Sequence, residues 1–183
     1  MDSFSGQKNW RRSEITIYTD SSKTNNGVGV VFVIYHKNQR ILMHSIKLSR
    51  HTTVFQAEVY AIYEAAKHLI RETTTQFKYI KILSDSQAAL TAIVSDTIKS
   101  RTVLDTVNML KSLKLRTSIV KLAWIKAHVN IEGNEAADEA AKAGANATDI
   151  DKYVPKPWCA TKAIVRQLIE AEWDSRWKAD PQY

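Results

Sequence analysis

The sequence predicts an α/β protein built on a five-stranded mixed sheet, and three observations predict it. Three β-branched and aromatic runs come before any helical pattern. Helical periodicity then alternates with two further short apolar runs. The connections from the first run to the fourth, and from the fourth to the fifth, pass through helices, as parallel neighbours require.

The first strand is Ile15 to Thr19, ending at Asp20 before the turn-rich stretch Ser21-Ser22-Lys23-Thr24-Asn25-Asn26-Gly27. Val28 to Tyr35 and Ile41 to Leu48 are the second and third strands, joined by the polar segment His36 to Arg40. The first three strands therefore form an antiparallel meander. From Val54 to Arg71 the period changes: Phe55, Val59, Ile62, Ala66 and Leu69 recur at helical spacing, and Thr52 or Thr53 can cap this helix. Tyr79 to Ser84 is a short strand ending at Asp85, and Asp85-Ser86 can cap a helix through Leu90. A helix over Arg101 to Leu115, a fifth strand over Ile119 to Ile125 and an alanine-rich helix over Ile131 to Ala145, with Asn130 as a cap, complete the order. Strands one, four and five are expected to be mutually parallel.

A seam follows, because Asp151 to Pro157 holds two of the three prolines. Beyond it a helix over Thr161 to Lys178 carries Ile164, Val165, Leu168, Ile169, Trp173 and Trp177. Two readings of this extension stay open: a helix packed back on the domain, or a segment that docks a partner. The boundaries read as a tail at 1–13, a domain at 14–147, and a Pro-containing linker with a Trp-rich helical extension at 148–183.

Composition narrows the function classes. The chain has 183 residues, 26 Lys+Arg against 19 Asp+Glu and a net charge of +7, which favours a polyanionic partner. Lys99, Arg101, Lys111, Lys114, Arg116 and Lys121 outnumber Asp96 and Asp105 between Ser86 and Lys121. The lone Cys159 forms no internal disulfide, which fits a reducing, intracellular setting rather than secretion. No apolar run is long enough to span a membrane.

Four acids stand out by position. Asp20 and Asp85 each end an apolar strand, at the sheet edge where open α/β folds place ligands. Glu58 falls inside the apolar stripe of its helix, whereas Glu64 and Lys67 fall opposite. A carboxylate on a packed face must be paired, protonated or metal-bound, because an isolated buried charge costs several kcal/mol. Asp138 lies one turn after Asn134 on a helix whose alanines allow close approach to the sheet, and His128 precedes that helix. Oxygen ligands without a Cys partner suit Mg²⁺ or Mn²⁺ better than Zn²⁺.

Four segments in this order carry a family resemblance: Tyr18-Thr19-Asp20-Ser21-Ser22-Lys23, Gln56-Ala57-Glu58-Val59-Tyr60-Ala61-Ile62, Ser84-Asp85-Ser86-Gln87-Ala88-Ala89-Leu90, and Trp124-Ile125-Lys126-Ala127-His128 leading to Gly133-Asn134-Glu135-Ala136-Ala137-Asp138. The chain resembles the type 1 ribonuclease H family from about Glu14 to Gly144. It is most similar to the ribonuclease H domain of a non-LTR (LINE-type) retrotransposon polyprotein, on the stretch Ala141-Lys142-Ala143-Gly144-Ala145 and the Val154-Pro155-Lys156-Pro157 tail with its spaced tryptophans. The resemblance implies a ribonuclease H-like fold, with 14–147 as the catalytic domain, and two-metal-ion hydrolysis of the RNA strand of RNA–DNA hybrids in the service of reverse transcription. By motif, Asp20, Glu58, Asp85 and Asp138 would hold two Mg²⁺ ions, with Mn²⁺ able to substitute, and His128 would assist proton transfer or product departure. Family likeness points to Gln87 and Asn134 as substrate contacts, and position alone adds Ser21, Ser22, Asn25, Asn26, Thr53, Gln56 and Ser86. A linked reverse transcriptase and a monomeric isolated domain are the expected partner and state.

Two departures bear on activity. Ser21 stands where the family usually has Gly, and Lys126-Ala127 replaces a common Pro-Gly pair. The alternative is a catalytically silent domain that keeps the fold and binds nucleic acid. A proofreading exonuclease is disfavoured because Thr19-Asp20-Ser21-Ser22 lacks an Asp-x-Glu pair, and an integrase because it lacks the Gly-Asn-Glu-x-x-Asp helix.

Overall fold

A two-residue hairpin sets the register of the first half of the sheet. β2 (Val28–His36) and β3 (Gln39–Leu48) are joined by Lys37 and Asn38, both at positive φ, 47° and 61°. Two consecutive left-handed residues form the turn whose twist matches that of paired strands. The sequence suggested a five-residue link over His36 to Arg40; the strands instead pair to their ends, His36 opposite Gln39. The computed structural model describes residues 14–72, 78–127 and 131–179.

β1 (Glu14–Lys23) runs antiparallel to β2 and parallel to β4 (Tyr79–Ser84), and β5 (Ile119–Trp124) runs parallel to β4, for a sheet order β3-β2-β1-β4-β5. The five-stranded mixed sheet is the one expected. β1 does not stop at Asp20, however. It continues to Lys23 opposite Val28, because β2 supplies ladder partners past the point where β4 ends. Pairing with β4 closes at Thr19 opposite Ser84, so Asp20 and Asp85 each come one residue after that last pair.

Helices cover both faces. α1 (Val54–Glu72), α2 (Gln87–Val94) and α3 (Arg101–Lys114) lie on one side, where Ile15, Ile17, Phe32, Ile34, Ile80 and Ile82 meet Ile62, Leu69, Ile93 and Leu113. α4 (Glu132–Ala145) lies on the other, with Ala137 and Ala141 against Val31, Val33 and Tyr35. Burial from both sides explains why β2 reads as an unbroken apolar run. The alanines and two glycines allow close approach: a Cβ on Gly29 would sit 2.0 Å from the Ala141 carbonyl oxygen, and one on Gly133 would sit 2.3 Å from the Tyr18 ring.

Thr53 and Gln56 start α1 with a reciprocal capping pair, the Thr53 Oγ1 accepting from the Gln56 N–H (3.2 Å) and Gln56 Oε1 accepting from the Thr53 N–H (3.3 Å). Glu64, expected on the solvent face, is buried, because the Tyr60 hydroxyl donates to it at 2.6 Å and Lys67 pairs with it at 2.9 Å. Asn130, a candidate cap for α4, lies outside the described residues, and the helix begins after Ile131 without a side-chain cap.

The segment after α4 is strapped to the sheet rather than hanging from it. The Asp151 carboxylate accepts from the Lys47 N–H at 2.7 Å, the Asp151 N–H donates to the Lys47 carbonyl at 2.9 Å, and Leu48 bridges Lys152. Val154 joins the apolar cluster of Val28, Leu48 and Ala57, and Gln56 Nε2 donates to the Pro155 carbonyl at 2.9 Å. Lys47, buried in β3, donates through Nζ to the Ala147 carbonyl. α5 (Trp158–Ala179) differs: Leu168 is 66% and Trp173 68% exposed, and Val165, Ile169 and Trp177 are likewise not covered by the domain.

Candidate metal centre

Three elements converge on one group of carboxylates. Asp20 lies within β1 just past the last β1–β4 pair, Asp85 follows the end of β4, and Glu58 comes from the second turn of α1. Ligand oxygens of all three lie within 4.8 Å of one another. Asp20 and Glu58 are only 6% and 5% exposed. The burial of Glu58 follows from its place in the apolar stripe between Phe55 and Ile62.

Ser21 ties two of the acids together. Its N–H donates to Asp20 Oδ1 at 2.7 Å, and its hydroxyl donates to Glu58 Oε1 at 2.6 Å. Glu58 Oε2 is buried with no hydrogen-bond partner among the described residues. A buried carboxylate oxygen without a donor is costly, and a bound cation would satisfy it. Burial raises Asp20 from 3.8 to about 7; Asp85 adds to the rise and the Ser21 N–H opposes it. Burial likewise raises Glu58 from 4.5 to about 8, opposed by the Ser21 hydroxyl and reinforced by Asp20 and Asp85. Without a cation the group therefore carries protons at neutral pH, as crowded acids must. The donor set is oxygen only, which fits a hard divalent ion.

Asp138 reaches the neighbourhood but not the group. It acts on Asp20 electrostatically, yet its Oδ2 pairs with Lys142 Nζ at 2.6 Å, one turn along α4. The pairing of Lys142 with Asp138 was not read from the sequence, although an Asp and a Lys four apart on a helix is the spacing that signals such a pair. His128 lies outside the described residues.

The polar residues expected around the site divide by what they already hold. Thr53 and Gln56 are occupied in capping α1, with Gln56 also bound to Pro155, and Ser86 caps α2 by accepting from the Ala89 N–H at 3.2 Å. Ser21 holds the acids. Asn25 and Gln87 are exposed, Ser22 is half-buried, and Asn26 donates to Asn146 Oδ1 at 3.2 Å. Asn134 is buried at the start of α4 with its Oδ1 unpartnered among the described residues. One further residue had no role assigned to it: Trp124, whose indole N–H donates to the Asp85 carbonyl at 2.9 Å.

The RNase H family model matches residues 12–146. The fold is similar to the crystal structure of RNase H1 from the halophilic archaeon Halobacterium salinarum NRC-1, with a TM-score of 0.58 and 18% identity over 72% of this chain and 96% of that one. No curated protein matches the chain in sequence. The family match takes in every strand and the four helices that pack on them, and it contains all three clustered acids: the chain belongs to the RNase H family of enzymes.

Proposed function

We propose that this domain hydrolyses the RNA strand of RNA–DNA hybrids, with Asp20, Glu58 and Asp85 holding divalent metal and Asp138 completing the set. The observation that carries the reading is the convergence of three acids from β1, α1 and the end of β4 around a buried Glu58 oxygen that has no hydrogen-bond partner among the described residues. Two Mg²⁺ ions, or Mn²⁺ in their place, supply an activated water and stabilisation of the leaving 3′-oxygen when bound.

The chain's own residues do the rest. Ser21 orients Asp20 and Glu58 through its two hydrogen bonds. Asp138 is held beside the group by Lys142, from which it must part to reach a metal. His128 serves proton transfer or product departure. Gln87 and Asn134 contact the hybrid near the site, joined by Ser22, Asn25 and Asn26, while Thr53, Gln56 and Ser86 act by shaping the helix starts beneath it. Recognition of a hybrid rests on a 2′-hydroxyl on one strand and deoxyribose phosphates on the other. A silent binding domain is the weaker reading, since crowded buried acids are a liability without a metal to hold.

The catalytic unit spans 14–147, with 148–183 as an extension, and it works inside the cell as part of a non-LTR retrotransposon polyprotein, linked to its reverse transcriptase. The isolated domain is a monomer. No helix among the described residues is long and apolar enough to cross a membrane.

Substrate choice tests this function. Labelled RNA–DNA hybrid, double-stranded RNA and double-stranded DNA are each incubated with the protein and Mg²⁺. Cleavage confined to the RNA strand of the hybrid is expected, and preferential cutting of duplex DNA would overturn the reading.

A further inference from the structure

We propose that Trp124 is a positioning residue for the metal centre: its indole N–H, bonded to the main-chain carbonyl of Asp85, holds that aspartate where its carboxylate joins Asp20 and Glu58. The inference rests on the metal-dependent reading given above and names a residue that serves it from outside the carboxylate group.

Asp85 occupies a junction. The parallel ladder with β1 closes at Thr19 opposite Ser84, and Ser86 is already the N-cap of α2. Between them, one residue must turn the chain from strand to helix while aiming its carboxylate at two others. The last residue of β5 and the one after it reach across this junction with two donors. The Ile125 N–H donates to the Ser84 carbonyl at 3.0 Å, and the Trp124 indole N–H donates to the Asp85 carbonyl at 2.9 Å. The first continues the sheet; the second extends its hold one residue further than the backbone can.

The exposure of Trp124 argues that this bond, and not packing, is what the side chain contributes. Trp124 is 48% exposed at the end of the edge strand β5, and it is absent from every apolar core cluster among the described residues. A large aromatic placed there for packing would be covered. Phe would retain the ring contacts and lose the donor. Partners that orient metal ligands typically contribute a factor of 10 to 100 in metal affinity or activity, and one acting through the main chain belongs at the low end.

The test compares the wild type with Trp124→Phe and with a variant carrying β-(3-benzothienyl)alanine at position 124, which keeps the ring shape and replaces the N–H by sulfur. Calorimetric titration with Mn²⁺ is expected to show affinity weakened by about tenfold, with a lower kcat on hybrid and an unchanged KM. Where Trp124→Phe also lowers the melting temperature in EDTA, the sulfur isostere carries the comparison. Unchanged Mn²⁺ affinity and kcat in the isostere would overturn the positioning role, and so would a raised KM with unchanged kcat, which marks a substrate contact instead. A wild type that binds no Mn²⁺ would overturn the metal-centre reading and this inference with it, whereas wild-type binding with unaltered variants overturns this inference alone.

Discussion

Asp20 and Glu58 keep their protons at pH values where a surface carboxylate has lost its own, and this has a sign that can be worked out. Each folded-state value lies above the unfolded one, about 7 against 3.8 for Asp20 and about 8 against 4.5 for Glu58. Between those limits the folded protein binds more protons than the unfolded chain, so stability falls as pH rises. The metal-free protein is fully favoured below pH 4 as far as these groups are concerned, and loses that contribution as pH rises through about 7 and about 8. Melting curves in EDTA against pH should show that decline, and added Mg²⁺ should raise the melting temperature most at the alkaline end. Glu58→Gln should flatten the decline in EDTA and shrink the stabilisation by Mg²⁺; a mutant with the wild-type pH slope would show that the strain lies elsewhere. The place of Glu58 was legible because a charge inside an apolar stripe contradicts its own helix. The roles of Ser21 and Trp124 were not, since a hydroxyl or an indole reveals its partner only when another strand or helix is brought beside it.

Most elements could be read from their periods, and the misses have identifiable causes. β1 outruns its apolar stretch through Ser21-Ser22-Lys23 because its ladder partner β2 extends that far, which a polar composition conceals. The link between β2 and β3 is short because Lys37 and Asn38 accept positive φ, and Lys gives little warning of that. α4 was recognisable from its alanines, and Gly29 shows why they matter: Gly29→Ala places a methyl 2.0 Å from the Ala141 carbonyl, so it should destabilise by about 1 to 3 kcal/mol as α4 is pushed off the sheet, a shift that denaturant titration measures. The seam after α4 divides into two parts that composition does not separate. Ending the chain after Pro157 removes an exposed helix and should leave the melting temperature nearly unchanged. Ending it after Ala147 also removes the Asp151 bonds, half-buried Val154 and the Pro155 carbonyl held by Gln56, and should lower it clearly. Equal melting temperatures for the two truncations would show that the strap contributes nothing.

At the scale of the molecule, strand order does what no single segment can. Placing β1 between β2 and β4 sets Asp20 beside Asp85, and laying α1 over β1 and β2 brings Glu58 down onto them. The antiparallel meander and the parallel sense of strands one, four and five were legible because helical crossovers admit few alternatives, whereas the strand order itself was not. Nor was the distribution of positive charge. Lys99 and Arg101 stand at the end of α3 whose Val103 meets Val59, whereas Arg116 binds the Ile70 carbonyl at the far end of α1. Those points are separated by most of the length of α1, roughly 16 Å for eleven residues. Hybrid binding through phosphate contacts should weaken steeply with added salt, which anisotropy titrations at several ionic strengths would measure. The central claim is that the clustered acids form a metal centre that cuts RNA, and the most direct test is cleavage of a hybrid labelled on its RNA strand, followed across a Mg²⁺ titration for the wild type and Asp85→Asn. Cleavage that requires Mg²⁺ and vanishes in a folded Asp85→Asn protein is the result expected; cleavage in EDTA, or undiminished in Asp85→Asn, would contradict it.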